Sequence, residues 1–222
     1  MKFSKRLLTL FSALENCNKF ADVGCDHGYC TEYMLKNNFC EQAVISDISA
    51  ESLKKAQDLL AEYLTSGKVL SVCCDGLDGV PRDCDLILIA GMGGEEIISI
   101  LKRGFLPEKL LLQPMKNSRK VREFLILHSY EIIADFTFKD GKFYDLIKAV
   151  KNGKKSVYSE KELEFGRDNL KKPSADFFSK LCSEMNKKRA YLSAPMREES
   201  EKNIAESLRR LEEVYHEVAG NI

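Results

Sequence analysis

The feature that most constrains the fold is an unbroken apolar run, CDLILIAG at residues 84–91, within a segment where strand-like and helix-like stretches alternate. A strand that is apolar on both faces is typical of a parallel sheet covered by helices on either side. Sheets of this kind are built from β-α-β units with right-handed connections. The first 150 residues are therefore predicted to form an α/β domain with a doubly wound, mostly parallel sheet.

Six further stretches are predicted to be strands, which makes the sheet seven-stranded with CDLILIAG as its fourth strand. In chain order they are KFADVG, AVISDI, VLSVCCD, KLLLQP, YEIIADFTF and FYDLIKAV. The last two are joined by KDGK, and Asp140-Gly141 is a common hairpin turn, so the sheet should end in an antiparallel hairpin. Helical periodicity is present in SAESLKKAQDLLAEYL, GEEIISILKRG and NSRKVREFLILHS, the first of which begins at Ser49 as N-cap.

The pattern changes after Val150, where the polar stretch KNGKK interrupts the chain and strand signals cease. Near the end, apolar residues recur with the 4-3 spacing of a coiled-coil seam: Ile204, Leu208, Leu211, Tyr215 and Val218. A similar stripe precedes Pro195 and consists of Phe178, Leu181, Met185 and Leu192. We predict an α/β domain over residues 1–152 and an α-helical hairpin over residues 153–222.

Composition restricts the cellular setting more than the chemistry. Lys plus Arg and Asp plus Glu number 34 each, so net charge selects no partner. No run approaches the roughly 18 apolar residues of a membrane span, and the start MKFSKRLLTLFSALEN is interpreted as a first helix rather than a signal peptide. Eight cysteines form no C-x-x-C pair, and three histidines are present, so no metal site is expected. We therefore predict that the cysteines are reduced and that the protein is cytoplasmic. We also predict that it makes no membrane contact and is a monomer.

The loop after the first strand, FADVGCDHGYC at residues 20–30, combines glycines with carboxylates. Ligands of doubly wound sheets bind at the carboxyl ends of the strands, so Gly24 and Gly28 are placed to approach one. A dinucleotide loop offers backbone N–H groups to pyrophosphate, but Asp22 and Asp26 would repel it by several kcal/mol at low effective dielectric. The loop suits S-adenosylmethionine, which joins a sulfonium and an ammonium to an adenosine without phosphate.

Acids at the next two strand ends fit the same donor. Asp47 ends the second strand, nineteen residues after Gly28, at the position from which a carboxylate accepts from both ribose hydroxyls. Asp75 ends the third strand, begins DGL together with Gly76, and is placed to accept a hydrogen bond from the adenine amino group. Taken singly, each acid is equally well explained as a helix cap or a turn residue.

The methyl acceptor is expected at the ends of the fourth and fifth strands. Gly91 and Gly93 in AGMGGEE remove side chains where the acceptor approaches the donor, and Gln113 and Pro114 end the fifth strand. Many enzymes that methylate exocyclic amines carry an Asn-Pro-Pro-Tyr motif at the end of the fourth strand, where it binds the amino group. This chain has no such motif there. A ring nitrogen with its own lone pair, such as N1 of adenine, needs mainly alignment. Gln113 and Asp26 are therefore given a positioning role in catalysis; for Asp26, binding the donor ammonium or shaping the loop are alternatives.

A basic stretch brackets the fifth strand. From Lys102 to Arg122 there are seven basic residues and one acidic residue, Glu108. Those that follow the acceptor-side loop are Lys116, Arg119, Lys120 and Arg122. A solvated helix face explains half of such runs, but the position of this one beside the predicted site favours contacts with RNA phosphates.

Several blocks resemble, in order, the bacterial tRNA (adenine-22-N1)-methyltransferases: SKRLLTLFSAL, ADVGCDHGY, DGLDGV, IAGMGGEEI, LLLQPMKNSRKVREFL and YEIIADFTFKDGKFYDLIKA. The resemblance implies a Rossmann-like methyltransferase domain with a coiled-coil C-terminal domain, S-adenosylmethionine as donor, and N1 of adenine 22 in the D-arm of tRNA as acceptor. His27 belongs to the signature and would either line the donor site or contact the acceptor. The family often has Asn after Gln-Pro, where this chain has Met115, so Asn117 is the nearest candidate to contact the base.

Two other functions fit parts of the pattern. One is a small-molecule methyltransferase that uses the helical tail as a lid. The other is a catalytically silent RNA regulator that binds the donor, although the intact glycines of AGMGG argue against it. The sequence leaves open which tRNA species are accepted and which residue, if any, takes the proton.

Overall fold

A computed structural model describes residues 3–154 and 156–220 and contains one seven-stranded sheet. Its strands are β1 Lys19–Val23, β2 Gln42–Asp47, β3 Val69–Cys73, β4 Leu86–Met92, β5 Lys109–Pro114, β6 Glu131–Asp140 and β7 Lys142–Val150. Their spatial order is β3-β2-β1-β4-β5-β7-β6. Strands β1 to β5 are parallel, and β7 is antiparallel to both β5 and β6. The α/β class, the seven strands and the closing antiparallel hairpin are thereby confirmed.

Helices connect the strands and extend the chain beyond the sheet. They are α1 Lys5–Ala13, α2 Tyr29–Lys36, α3 Ala50–Leu59, α4 Ala61–Thr65, α5 Gly94–Arg103, α6 Ser118–Leu127, α7 Glu160–Phe165, α8 Arg167–Lys171, α9 Ala175–Leu192 and α10 Glu198–Ala219. Ser49 caps α3 as predicted, because its hydroxyl accepts from the Ser52 N–H. The single helix predicted from Ser49 is divided, however, since Leu60 leaves helical geometry at φ −103° and ψ 18°.

Side chains of the central strands alternate between two hydrophobic cores, which explains the unbroken apolar run. In β4, Leu86 and Leu88 pack on the side of α1, α2 and α3. Ile87 and Ile89 pack on the opposite side with α5 and α6. All four side chains are fully buried, as expected for a strand covered on both faces.

The C-terminal helices enclose a third hydrophobic cluster, which consists of Phe165, Phe177, Leu181, Met185, Leu211, Val214 and Val218. Near the start of α9, Phe178 contacts Tyr215 near the end of α10 with ring centroids 5.7 Å apart, as in the predicted antiparallel pair. The predicted seam omits Phe177 and Val214, which are fully buried. Helices α7 and α8 were not predicted; they pack against α6 and β6 and join the tail to the sheet.

Within the described part of the chain, every helix is too short or too polar to span a lipid bilayer.

Candidate active site

A cavity of about 470 Å³ lies at the carboxyl ends of β1 to β4, where the strand order reverses between β1 and β4. We call it the donor cavity. Eight of the nine predicted donor residues line it: Asp22, Gly24, Asp26, His27, Asp47, Asp75, Gly76 and Gly91. The ninth, Gly28, does not. It precedes α2 with φ 73°, and Ala56 and Leu60 occupy the space where its side chain would be, so its role is to let α2 pack closely on α3.

Backbone hydrogen bonds fix the loop between β1 and α2. The N–H groups of Gly24 and Cys25 both donate to the carbonyl oxygen of Ser46 at the end of β2, at 2.8 and 3.1 Å. Gly24 has φ 69°, and a Cβ there would lie 2.1 Å from the methyl carbon of Met92. Glycine is favoured here because φ lies in the left-handed region, and any side chain would also have to displace the tip of Met92.

The Asp47 carboxylate is oriented by two backbone donors. Its Oδ1 accepts from the Ser49 N–H at 2.8 Å, and its Oδ2 accepts from the Asp26 N–H at 3.2 Å. Each carboxylate oxygen has two acceptor positions, so both remain able to accept a further hydrogen bond. The next residue, Ile48, lines the cavity with 71% of its surface exposed. It offers an apolar contact that the sequence analysis did not identify.

The acids of the donor cavity lie in different electrostatic environments. Burial raises the pKa of Asp22 to about 7; the Thr31 hydroxyl, which donates to it at 3.0 Å, opposes this shift, and the nearby charge of Asp47 adds to it. Asp75 is exposed, and the hydrogen bond from Arg103 at 2.8 Å lowers its pKa. Asp75 is therefore a stable carboxylate, whereas Asp22 changes charge near neutral pH.

Arg6 in the first turn of α1 is a cavity residue that sequence reasoning missed. Its Nε donates to the Oε1 of Gln113 at 2.6 Å, a contact between residues 107 positions apart. Local sequence patterns cannot predict a contact between such distant residues. The available signal is the stretch SKRL, which places basic residues at the start of the first helix. Gln113 is fully buried, and its Nε2 donates to the sulfur of Met115 at 3.5 Å. Arg6 therefore separates Gln113 from the donor cavity.

The turns after β4 and β5 are joined to each other. The Gly94 N–H donates to the Lys116 carbonyl at 2.9 Å, and the Met115 N–H donates to the Met92 carbonyl at 2.8 Å. A Cβ on Gly94 would lie 2.7 Å from two carbonyl oxygens of the β5–α6 turn. Gly93, the N-cap of α5, lies against Lys116. The turn after β4, next to the donor cavity, is thus hydrogen-bonded to the turn after β5, where the acceptor is predicted to bind.

A second cleft, of about 600 Å³, lies beside the end of β5, and we call it the acceptor cleft. Four predicted acceptor residues line it: Pro114, Lys116, Asn117 and Arg119. The β6–β7 turn and α9 supply the remaining walls with Gly141, Lys142, Phe143, Lys180 and Lys187 among others. Arg119 is also paired with Glu123 and Glu160, at 2.8 and 2.7 Å. Lys120 lies outside the cleft and is paired with Glu95.

The prediction that Arg122 contacts RNA phosphate is wrong. Its side chain is completely buried, with Nε 2.9 and 3.0 Å from the two carboxylate oxygens of Asp135. Its terminal nitrogen also lies 3.7 Å from Asp145, which Lys180 of α9 contacts at 2.8 Å. Burial alone would raise the pKa of Asp145, but the charges of Lys180 and Arg122 outweigh it and hold this pKa below its usual range. Arg122 therefore joins the sheet to the C-terminal helices.

Residues 3–154 and 156–220 contain no group of three or more His, Cys, Asp or Glu side chains arranged to hold a metal ion.

Comparison with known families finds a match over most of the chain. The family model described as tRNA (adenine(22)-N(1))-methyltransferase matches residues 20–217. The tRNA (adenine(22)-N(1))-methyltransferase of Bacillus subtilis is 30% identical over 172 residues, which cover 75% of this chain and 72% of that protein.

Solved structures agree in fold over nearly the whole chain. The crystal structure of the B. subtilis m1A22 tRNA methyltransferase TrmK superposes with a TM-score of 0.82 at 26% identity, covering 96% of this chain and 99% of that one. A TrmK from M. capricolum, solved with S-adenosyl-homocysteine, gives a TM-score of 0.89 at 22% identity and covers 98% and 100% of the two chains. The coverage includes the C-terminal helices as well as the sheet.

Proposed function

The chain belongs to the tRNA (adenine(22)-N(1))-methyltransferase family, and from this membership we propose that the donor cavity holds S-adenosylmethionine and the acceptor cleft receives tRNA. The protein is an S-adenosylmethionine-dependent methyltransferase that modifies N1 of adenine 22 of tRNA.

The observation that carries the donor assignment is the set of carboxylates at consecutive strand ends. Asp22, Asp47 and Asp75 all line the donor cavity, so a phosphate would meet repulsion there and a cationic nucleoside would be attracted. We assign Asp47, which two backbone N–H groups hold, to the ribose hydroxyls, and Ile48 beside it to the adenine ring. Asp75 is assigned to the adenine amino group.

The chain's contribution to methyl transfer is alignment rather than acid–base catalysis. When bound, S-adenosylmethionine supplies an electrophilic methyl group on its sulfonium. The lone pair of adenine N1 forms the new N–C bond as the methyl–sulfur bond breaks, and the proton leaves from N6. Gly91 keeps the path between the two sites free of a side chain, and the joined turns after β4 and β5 fix the distance across it. Asp26, the exposed acid of the loop after β1, lines the donor cavity, and we assign it a positioning role.

Attack by N1 requires access to the pairing edge of adenine, so the base must be unpaired or flipped out of the folded RNA. The acceptor cleft borders the end of β5 and is edged by Lys116, Lys142 and Lys187. We assign these cations to backbone phosphates near the target nucleotide, and Asn117 to the base itself. In this proposal residues 1–152 are the catalytic unit, and the helical arm within residues 153–222 binds the RNA backbone.

A cytoplasmic setting is proposed for the protein, with a monomer as its active form. All eight cysteines are free thiols, in keeping with a cytoplasmic enzyme that acts on tRNA.

The test is methylation of defined transcripts. A tRNA transcript with A22 and its A22→G variant are incubated with the protein and S-adenosylmethionine labelled in the methyl group. Label should enter the A22 transcript as N1-methyladenosine and should not enter the variant. Equal labelling of both transcripts would contradict the assignment of position 22, and labelling of neither, with donor binding intact, would contradict the proposed acceptor.

A further inference from the structure

The charges in the wall of the donor cavity are unevenly distributed. Five carboxylates line it: Asp22, Asp26, Asp47, Asp75 and Glu96. Among the described residues of this wall, Arg6 is the single Lys or Arg. The proposed donor carries two cationic groups, a sulfonium and an ammonium, and one anionic group, the carboxylate of its methionyl part. The five acids suit the cations but would repel the carboxylate, so Arg6 is the group in the wall that can bind it.

Arg6 is held in one position by three separate contacts. Its backbone N–H donates to the Oδ2 of Asp140 at 2.8 Å, and its Nε donates to the Oε1 of Gln113 at 2.6 Å. The guanidinium carbon lies 5.8 Å from the centre of the Tyr144 ring. A guanidinium has five N–H donors in a planar fork, and the Gln113 contact uses the one on Nε. Within residues 3–154 and 156–220 no hydrogen bond uses the two terminal amino groups, which leaves them for a two-point contact with a carboxylate.

The position of Arg6 matches the direction in which the donor must extend. The strand order places Asp75 at the end of β3, Asp47 at the end of β2 and Gly91 in β4. With the adenosine at Asp75 and Asp47, the methionyl part points across β1 toward β4, about two strand spacings or 10 Å away. There, a terminal nitrogen of Arg6 lies 2.8 Å from the point where a Cβ on Gly91 would be.

We infer that Arg6 binds the α-carboxylate of the methyl donor and makes the site selective for a ligand that carries this group. The inference rests on the proposed donor. It also explains why Gln113 is buried beside Arg6, because the carbonyl oxygen of Gln113 accepts from Nε and turns the free edge of the guanidinium toward the donor cavity. Arg6 acts by direct contact with the donor, not through Gln113.

Decarboxylated S-adenosylmethionine is the discriminating probe, because it keeps the adenosine, sulfonium and ammonium and lacks the carboxylate alone. Its net charge is more positive, so five acids without Arg6 would favour it over the intact donor. The affinities of both ligands are measured by calorimetric titration for the wild-type protein, Arg6→Met and Lys5→Met. Lys5 is the matched control, since it is a neighbouring exposed cation on α1 that pairs with Asp176 outside the cavity.

The wild-type protein should bind S-adenosylmethionine roughly 10- to 100-fold more tightly than the decarboxylated probe, the range expected for a charge-assisted pair. Arg6→Met should weaken binding of the intact donor by at least a similar factor and leave the probe within about twofold, so that the preference for the intact donor is lost or reversed. Lys5→Met should change neither affinity.

Equal binding of both ligands by the wild-type protein would overturn the inference without relying on any variant. An equal loss of both affinities in Arg6→Met would also overturn it, because that result assigns Arg6 a structural role alone. If the wild-type protein bound neither ligand, the proposed donor itself would be wrong, so the two failures are distinguishable.

Discussion

The backbone N–H of Asp26 donates to the side-chain Oδ2 of Asp47 across 3.2 Å, which ties the glycine loop after β1 to the end of β2. One carboxylate therefore shapes the loop beside the donor cavity and keeps further acceptor positions for the proposed contact with the ribose. An acid at a strand end and a glycine loop that look independent in the sequence form a single unit in the fold.

This unit predicts the effect of removing the Asp47 carboxylate. Asp47→Ala loses two charge-assisted hydrogen bonds to the ribose, each contributing roughly 1.5–3 kcal/mol, so donor affinity should fall about 100-fold or more. Calorimetric titration with S-adenosylmethionine measures the change, and circular dichroism checks that the fold is retained. Asp58→Ala, which removes an exposed acid of α3 paired with Lys54, is the control and should leave affinity unchanged. Unchanged affinity in Asp47→Ala would refute the ribose assignment.

Asp22 predicts an unusual dependence of stability on pH. Its pKa is raised to about 7 in the folded protein, so the folded state holds a proton that the unfolded state releases near pH 4. The free energy of unfolding should therefore fall as pH rises from about 4 to 7, by up to about 4 kcal/mol from this group. Asp22→Asn cannot lose a proton and should be more stable than the wild type at pH 8, although not at pH 4.

Urea unfolding of both proteins without donor, at pH 4, 6 and 8, measures this difference. The two proteins share every other titrating group, so the difference between their profiles isolates Asp22. The same variant should bind S-adenosylmethionine more weakly at pH 8, because it lacks the negative charge that attracts the cationic donor. A wild-type protein that is more stable than Asp22→Asn at pH 8 would show that Asp22 is ionised without cost.

Arg122 and Arg119 lie three positions apart on α6 and should respond very differently to substitution. Arg122→Met leaves Asp135 buried without its main partner, which should cost about 3–5 kcal/mol of stability. Arg119→Met breaks exposed ion pairs with Glu123 and Glu160 and should cost roughly 0–1 kcal/mol. Chemical denaturation of both variants provides the comparison. Similar losses in the two variants would contradict the buried role of Arg122.

The sequence predicted the sheet well because the relevant signal is local. A strand covered on both faces must be apolar throughout, and each of the seven strands shows this or an alternating pattern in its own residues. The donor acids were predicted for a related reason: the ends of parallel strands meet at one edge, so three separate acids are brought together by topology alone.

What was missed depends on contacts between distant parts of the chain. Arg6 reaches Gln113 across 107 positions, and no periodicity reports such a contact. The burial of Arg122 had a local signal, since Val121 and Leu125 flank it on the buried face of α6. The charge of Arg122 nevertheless favoured an exposed position, since its buried partner Asp135 lies on β6 and cannot be inferred from the sequence of α6. The break at the fully buried Leu60 likewise has no Gly or Pro at that position to mark it in the sequence.

The acceptor cleft brings together cations that are scattered along the sequence. Lys116 follows β5, Lys142 begins β7, and Lys187 lies on α9. A cut after residue 152 would remove more than the proposed RNA-binding arm, because Asn169 of α8 accepts from the Thr137 N–H of β6 at 2.8 Å. Substitutions in the intact chain therefore test the arm more cleanly than truncation.

Replacing Lys116, Lys142 and Lys187 together with Gln should weaken tRNA binding while leaving donor affinity unchanged, because these side chains lie in the acceptor cleft and outside the donor cavity. If each neutralises one phosphate, fewer counterions are released on binding, and the slope of log affinity against log salt should become shallower by about 2–3. Filter binding of a tRNA transcript between 50 and 200 mM salt measures this slope.

The matched control replaces Lys36, Lys54 and Lys55, three exposed lysines of α2 and α3, with Gln and makes the same change in net charge. It should retain nearly the full slope. Equal losses in the two triple variants would show that tRNA responds to overall charge alone and would contradict a specific RNA contact in the cleft.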